Sequence, residues 1–149
     1  MRIRILLLTC VLAAPAQAAV TRFSVEKTTP IAGGYELLEG RYSGSLDPND
    51  KHNALINDIK LAPRNALGMV EYSATFAIAK PVDVNQSSGM LVYDVPNRGN
   101  GAANAIGDRH VNVVSGWQGD LDEGPAVQSL RVPAAPVTGP ALVRFMNMP

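Results

Sequence analysis

From Val70 to Ile78 the side chains alternate without a break: Val70, Tyr72, Ala74, Phe76 and Ile78 fall on one face, Glu71, Ser73, Thr75 and Ala77 on the other. A period of two is the mark of a strand with one packed and one wet face, as in an antiparallel sheet. Just upstream, Leu55, Asn57, Ile59 and Leu61 oppose Ile56, Asp58 and Lys60, so residues 56–79 read as a hairpin turned by Pro63 to Gly68. Earlier still, Val20 to Lys27 alternates with Phe23 and Val25 facing inward, and Pro30 and Gly33-Gly34 break that strand. Tyr35 to Leu46 reads as a strand interrupted at Gly40 and closed by the turn cluster Asp47-Pro48-Asn49-Asp50. Thirteen glycines and 11 prolines are spread along the chain, and long helical periodicity is hard to find.

The pattern changes at Gly89. Met90, Leu91, Val92 and Tyr93 are consecutive apolar or aromatic residues, the mark of a strand buried on both faces, and Val111 to Val114 is a shorter run of the same kind. Leading antiparallel strands followed by buried ones predict a β-rich α/β sheet whose later strands are covered by helices. Asn100 to His110 is short and glycine-containing for a crossover, with Ala102 to Ile106 able to supply a turn or two of helix. Ser129 to Val132 and Ala141 to Phe145 are further extended candidates, and the ending Met146-Asn147-Met148-Pro149 reads as an interruption of the sheet.

The first 18 residues read as a cleaved secretory signal. Arg2 and Arg4 precede the apolar run Ile5 to Ala14, and Ala16-Gln17-Ala18 has the small-x-small pattern of a cleavage site. That run falls short of the roughly 20 residues a membrane-spanning helix needs. Thr9 is a poor residue before a lipidated cysteine, which argues against Cys10 as an anchor. The expected product, residues 19–149, is one secreted or periplasmic domain without a stable membrane anchor. Cys10 is the only cysteine, so that product has no disulfide, thiol nucleophile or thiolate metal site. Thirteen basic residues balance 13 acidic ones, and no basic run or stripe exists to hold nucleic acid or anionic lipid.

Leu91-Val92-Tyr93-Asp94-Val95-Pro96-Asn97-Arg98-Gly99, Ser115-Gly116-Trp117-Gln118-Gly119-Asp120 and Leu61-Ala62-Pro63-Arg64-Asn65 together resemble the N-terminal part of the secreted "alpha/beta hydrolase domain" proteins, which are much longer chains. The resemblance implies a fragment of a serine-dependent carboxylic ester hydrolase, inactive by itself, with its catalytic triad outside this chain. It implies an oxyanion-side loop at Asn97, Arg98 and Gly99, and a pocket wall at Trp117, Gln118 and Asp120, at the carboxyl ends of two sheet strands. The partners it implies are a small-molecule ester and a completing polypeptide. It also implies a longer apolar helix than Ala102 to His110 can form, and a Gly-x-Ser-x-Gly elbow, which is missing from the chain.

The residues also admit plainer readings. Ser115, His110 and Asp108 have the side chains of a triad, but a triad is recognised by geometry and not by closeness in sequence. Asp120, Asp122 and Glu123 lack the spacing of a calcium loop and read as a solvated turn, and no His/Cys/Asp cluster has metal-ligand spacing. Asn97 to Gly101 lacks the Gly-Lys-Ser/Thr ending of a phosphate loop. Neither metal nor organic cofactor is expected. The alternative to the hydrolase reading is a small secreted β-rich ligand-binding module that presents Trp117 and Tyr93 and catalyses nothing.

Overall fold

The computed structural model describes residues 19–140 apart from Glu123 and Pro125, so the signal segment and the candidate strand at 141–145 lie outside the described residues. Six strands form one mixed sheet: β1 (Ala19–Ile31), β2 (Tyr35–Leu46), β3 (Val70–Pro81), β4 (Leu91–Asp94), β5 (Val111–Ser115) and β6 (Leu130–Arg131). The order across the sheet is β1-β2-β3-β5-β4, with β6 pairing the early part of β3. The first three strands are antiparallel neighbours, β5 runs antiparallel to β3, and β4 runs parallel to β5.

This corrects the α/β expectation. Among the described residues the only helical elements are three short 3-10 turns, and no α-helix covers either face. None of their helices is long and apolar enough to cross a membrane. The parallel pair β4–β5 is joined instead by an irregular crossover through residues 95–110. That crossover lies on the face carrying Ala77, Ala79 and Val114, where Ala103 joins them in the core. Alanines at these positions let backbone approach the sheet closely, so an irregular segment fills the space a helix would otherwise take. The Tyr35 hydroxyl holds the far end of the crossover by donating to the Ile106 carbonyl at 3.3 Å.

Three local expectations change with this arrangement. Residues 56–61 form no strand, because β2 pairs directly with β3 from Tyr35↔Pro81 to Leu46↔Val70 and occupies the place of a hairpin partner. The segment instead contains a 3-10 turn at Ile59–Leu61, entered through Asp58 at φ 56°, and Leu55 is 93% exposed. Nor does Gly40 interrupt β2. A Cβ there would lie 2.0 Å from the Ser24 carbonyl oxygen, so the missing side chain lets β1 come close beside its bulge between Val25 and Lys27.

The third change concerns exposure. β3 is buried on both faces in its second half, at Phe76, Ala77 and Ala79, whereas β4 is the edge strand and leaves Leu91 62% and Tyr93 48% exposed. Phe23 and Val25 are also largely exposed, because β1 is the opposite edge, although Phe23 still stacks on Phe76 with ring centroids 4.3 Å apart. Pro30 sits within β1, a position open to proline because an edge strand has one side without ladder bonds.

Candidate functional site

Because β4 and β5 are parallel neighbours, their carboxyl ends lie side by side, and the loops that leave them meet. The first loop makes a tight turn in which the Asn100 N–H donates to the Asn97 carbonyl at 3.0 Å. Its central residues, Arg98 at φ 51° and Gly99 at φ 76°, both take the left-handed conformation of a type I′ turn. Val127 and Gln128 pack beneath it, with the Gln128 N–H donating to the Gly99 carbonyl at 2.9 Å. Neither the Arg98 nor the Gly99 N–H is taken by another of the described residues.

The second loop leaves β5 at Ser115. Gly116 donates its N–H to the Thr75 carbonyl at 2.9 Å, which fixes where the chain turns, and Trp117 then reaches across to the first loop. Its indole N–H donates to the Pro96 carbonyl at 2.7 Å while 52% of the residue stays exposed. Arg98 closes the other side by donating to the Asp120 carboxylate at 2.7 Å. Gln118 uses its backbone carbonyl to accept from the Leu130 N–H, and its buried side-chain Oε1 has no partner among the described residues. The six site residues read from the sequence thus sit on two loops clasped together at one end of the sheet.

The hydrogen bond from Arg98 holds the Asp120 carboxyl below its ordinary value. A depressed carboxylate stabilises the fold while it is ionised, so its contribution is present at neutral pH and is lost as acid protonates it. Both side chains are more than half exposed, so the clasp orders the loops more than it stabilises the protein. The Trp117 emission maximum should therefore hold steady from neutral pH through the ordinary carboxylate range and move only below it. Arg98→Ala has no clasp to lose, so its emission should already stand at the low-pH position at neutral pH and stay there as the pH falls.

The triad residue types are not brought together. His110 stands just before β5 and Ser115 at its far end. Ser115, which is buried, shares a 2.7 Å hydrogen bond with the Tyr93 hydroxyl, and the His110 Nδ1 lies 2.7 Å from the Ser88 Oγ. Among the described residues, no nucleophile and base therefore meet at the loop end of the strands.

Two groupings escaped the sequence reading. Ser88 and His110 lace the entries of β4 and β5 together, alongside the Ser88 N–H bond to the Arg109 carbonyl. Asn112, 1% exposed, ties β5 to β4 and to the crossover. Only the second left a signal, a lone amide inside an apolar run. No family model, curated protein or solved structure matches the chain.

Proposed function

We propose that this chain is the ligand-facing part of a secreted, serine-dependent carboxylic ester hydrolase, and that by itself it binds an ester without cleaving it. Arg98 and Gly99 border the ester oxygen with their unclaimed N–H groups, Asn97 sets the turn, and Trp117, Gln118 and Asp120 wall the pocket. The nucleophile, acid and histidine come from a completing polypeptide. Secretion rests on the basic start, apolar run and Ala16-Gln17-Ala18 of the sequence.

The observation that carries this reading is the meeting of the two loops at the carboxyl ends of parallel neighbours, beside the point where the sheet changes from antiparallel to parallel. Ligands of open sheets bind outside such strand ends, and paired backbone N–H groups there suit an oxyanion. Trp117 is the only tryptophan, so its emission reports the site directly. Titrating the purified chain with an aryl methylphosphonate anion, a mimic of the tetrahedral intermediate, should change that emission saturably, and Arg98→Ala should weaken the effect. Hydrolysis of a short-chain aryl ester should be no faster than with Ser115→Ala. Turnover lost on Ser115→Ala would overturn the dependence on a second polypeptide, and a flat titration would overturn the site.

A separate observation favours the second reading, a β-rich binding module. Trp117 and Tyr93 both satisfy their polar groups internally, on Pro96 and Ser115, so what they expose beside Leu91 and Val95 is apolar surface. That module would bind an uncharged apolar ligand as well as the phosphonate and would be indifferent to Arg98→Ala.

A further inference from the structure

The sheet face that is apolar under the crossover turns polar toward the other end of the strands. There Arg41 stands opposite Thr75, Ser43 opposite Ser73, and Ser45 opposite Glu71. The period of two puts all of these on the face that carries Leu37 and Ala79 further along. From β1, Arg22 pairs with Ser43 and Ser24 with Arg41.

A polar sheet face by itself is ordinary for an antiparallel sheet. This one is hollowed. Cavities of about 470, 250 and 320 Å³ lie in file and share walls: Ser43 and Ser73 line the first two, and Arg41 lines the second and the third. Asn65 and Arg131 border the outer end, while Thr75 and Ser129 border the inner one. Ser129, at the inner end, is 1% exposed and its hydroxyl has no partner among the described residues. A buried hydroxyl without a partner is costly unless water or a ligand satisfies it.

The chemistry of the lining narrows the occupant. Hydroxyls both donate and accept, guanidinium groups donate as a planar fork, and carboxylates accept at two oxygens. Arg22 and Arg41 face Glu26, and Arg131 shares the first cavity with Glu71, so the two signs are mixed and no strong field selects a polyanion. Three hollows in a row fit a chain of repeating polar units better than a single compact molecule. We infer that this trough binds an oligosaccharide along the axis running through Ser73, Ser43 and Arg41. The site lies on the β1–β2–β3 part of the sheet and is independent of the ester-facing loops.

Saturation-transfer NMR on the purified chain, with a xylo-oligosaccharide as neutral probe and an oligogalacturonide as acidic probe, tests this. Transfer to the ring protons of either sugar is expected, and which one receives it tells whether the arginines act on carboxylates or on hydroxyls. Arg41→Gln should weaken binding roughly tenfold by removing charged donors. Ser43→Ile should abolish it by filling the middle of the trough with a side chain that a strand accommodates. Circular dichroism of both variants should match the parent. Absence of transfer to both sugars overturns the inference, as does unchanged binding in folded Ser43→Ile. Trp117 emission reports the other site, so the two proposals fail separately.

Discussion

Gly116→Ala should destabilise the protein by about 3 kcal/mol and move the urea midpoint far below that of the parent. A Cβ at this position would lie 2.1 Å from the Ser129 carbonyl oxygen, 2.3 Å from its carbon and 2.5 Å from its nitrogen. All three are backbone atoms, so no rotamer change relieves the contact, and the segment through Ser129 must move away. That segment is itself bound to β3, because the Thr75 N–H donates to the Ser129 carbonyl and the Ser129 N–H donates to the Thr75 hydroxyl. Moving it loosens the pairing of β6 with Ser73 and Ala74 and the floor beneath the Arg98-Gly99 turn. Trp117 is the next residue, so its emission should shift in the native baseline as well. Gly139→Ala is the control: no atom of the described residues lies within 4 Å of its Cβ position, and its stability should stay within about 0.5 kcal/mol of the parent. A Gly116→Ala protein as stable as that control would show that the chain does not turn tightly after β5.

Strand positions were legible where the pattern was long or continuous. The alternation from Val70 to Ile78 lies inside β3, and the apolar runs at Leu91 and Val111 became β4 and β5. Neighbours were not legible, because pairing is decided by partners far along the chain. The short alternation from Leu55 to Leu61 fits a strand as well as many loops do, and it lost its place once Tyr35–Leu46 paired with β3 over its whole length. Exposure failed for the same reason. A run such as Met90 to Tyr93 shows that a strand can be buried on both faces, but β4 lies at an edge, where the described residues bury little of it. The helices predicted over the later strands failed because Pro96, Gly99, Gly101 and Gly107 break the crossover and the alanines beneath it accept irregular backbone.

The candidate site was legible as two local motifs, since a Pro-Asn-Arg-Gly turn and a Gly-Trp-Gln-Gly loop carry their own conformational signals. That the two touch was not. The Arg98–Asp120 and Trp117–Pro96 bonds span 22 and 21 residues, and they exist because β4 and β5 run parallel and side by side. The pairing of His110 with Ser88 likewise follows from strand entries that lie together, and no spacing in the sequence announces it.

Asn112→Leu should cost about 3 kcal/mol although leucine has nearly the same size and shape. Asn112 is buried at the middle of the parallel pair, where its Oδ1 accepts from the Asn104 N–H at 2.8 Å. Its Nδ2 donates to the Asp94 carboxylate at 2.7 Å and to the Val92 carbonyl at 3.3 Å. One side chain thus ties β5 to the edge strand and to the crossover above it. Leucine cannot replace any of these bonds, and it leaves a backbone N–H and a carboxylate without their partners in the protein. Because Asp94→Ala already gives up one of these bonds, the same substitution in that background should cost less, by about 1 kcal/mol. Amide exchange at Asn104 should accelerate far more than exchange within β2, since the loss is local to the crossover and the edge. Release of β4 also frees the loop that carries Pro96, so Trp117 should lose its acceptor and report the change by emission. If Asn112→Leu were as stable as the parent, with Trp117 unmoved, the parallel pair would be held by its backbone ladder alone, and the two loops would have to find each other without it.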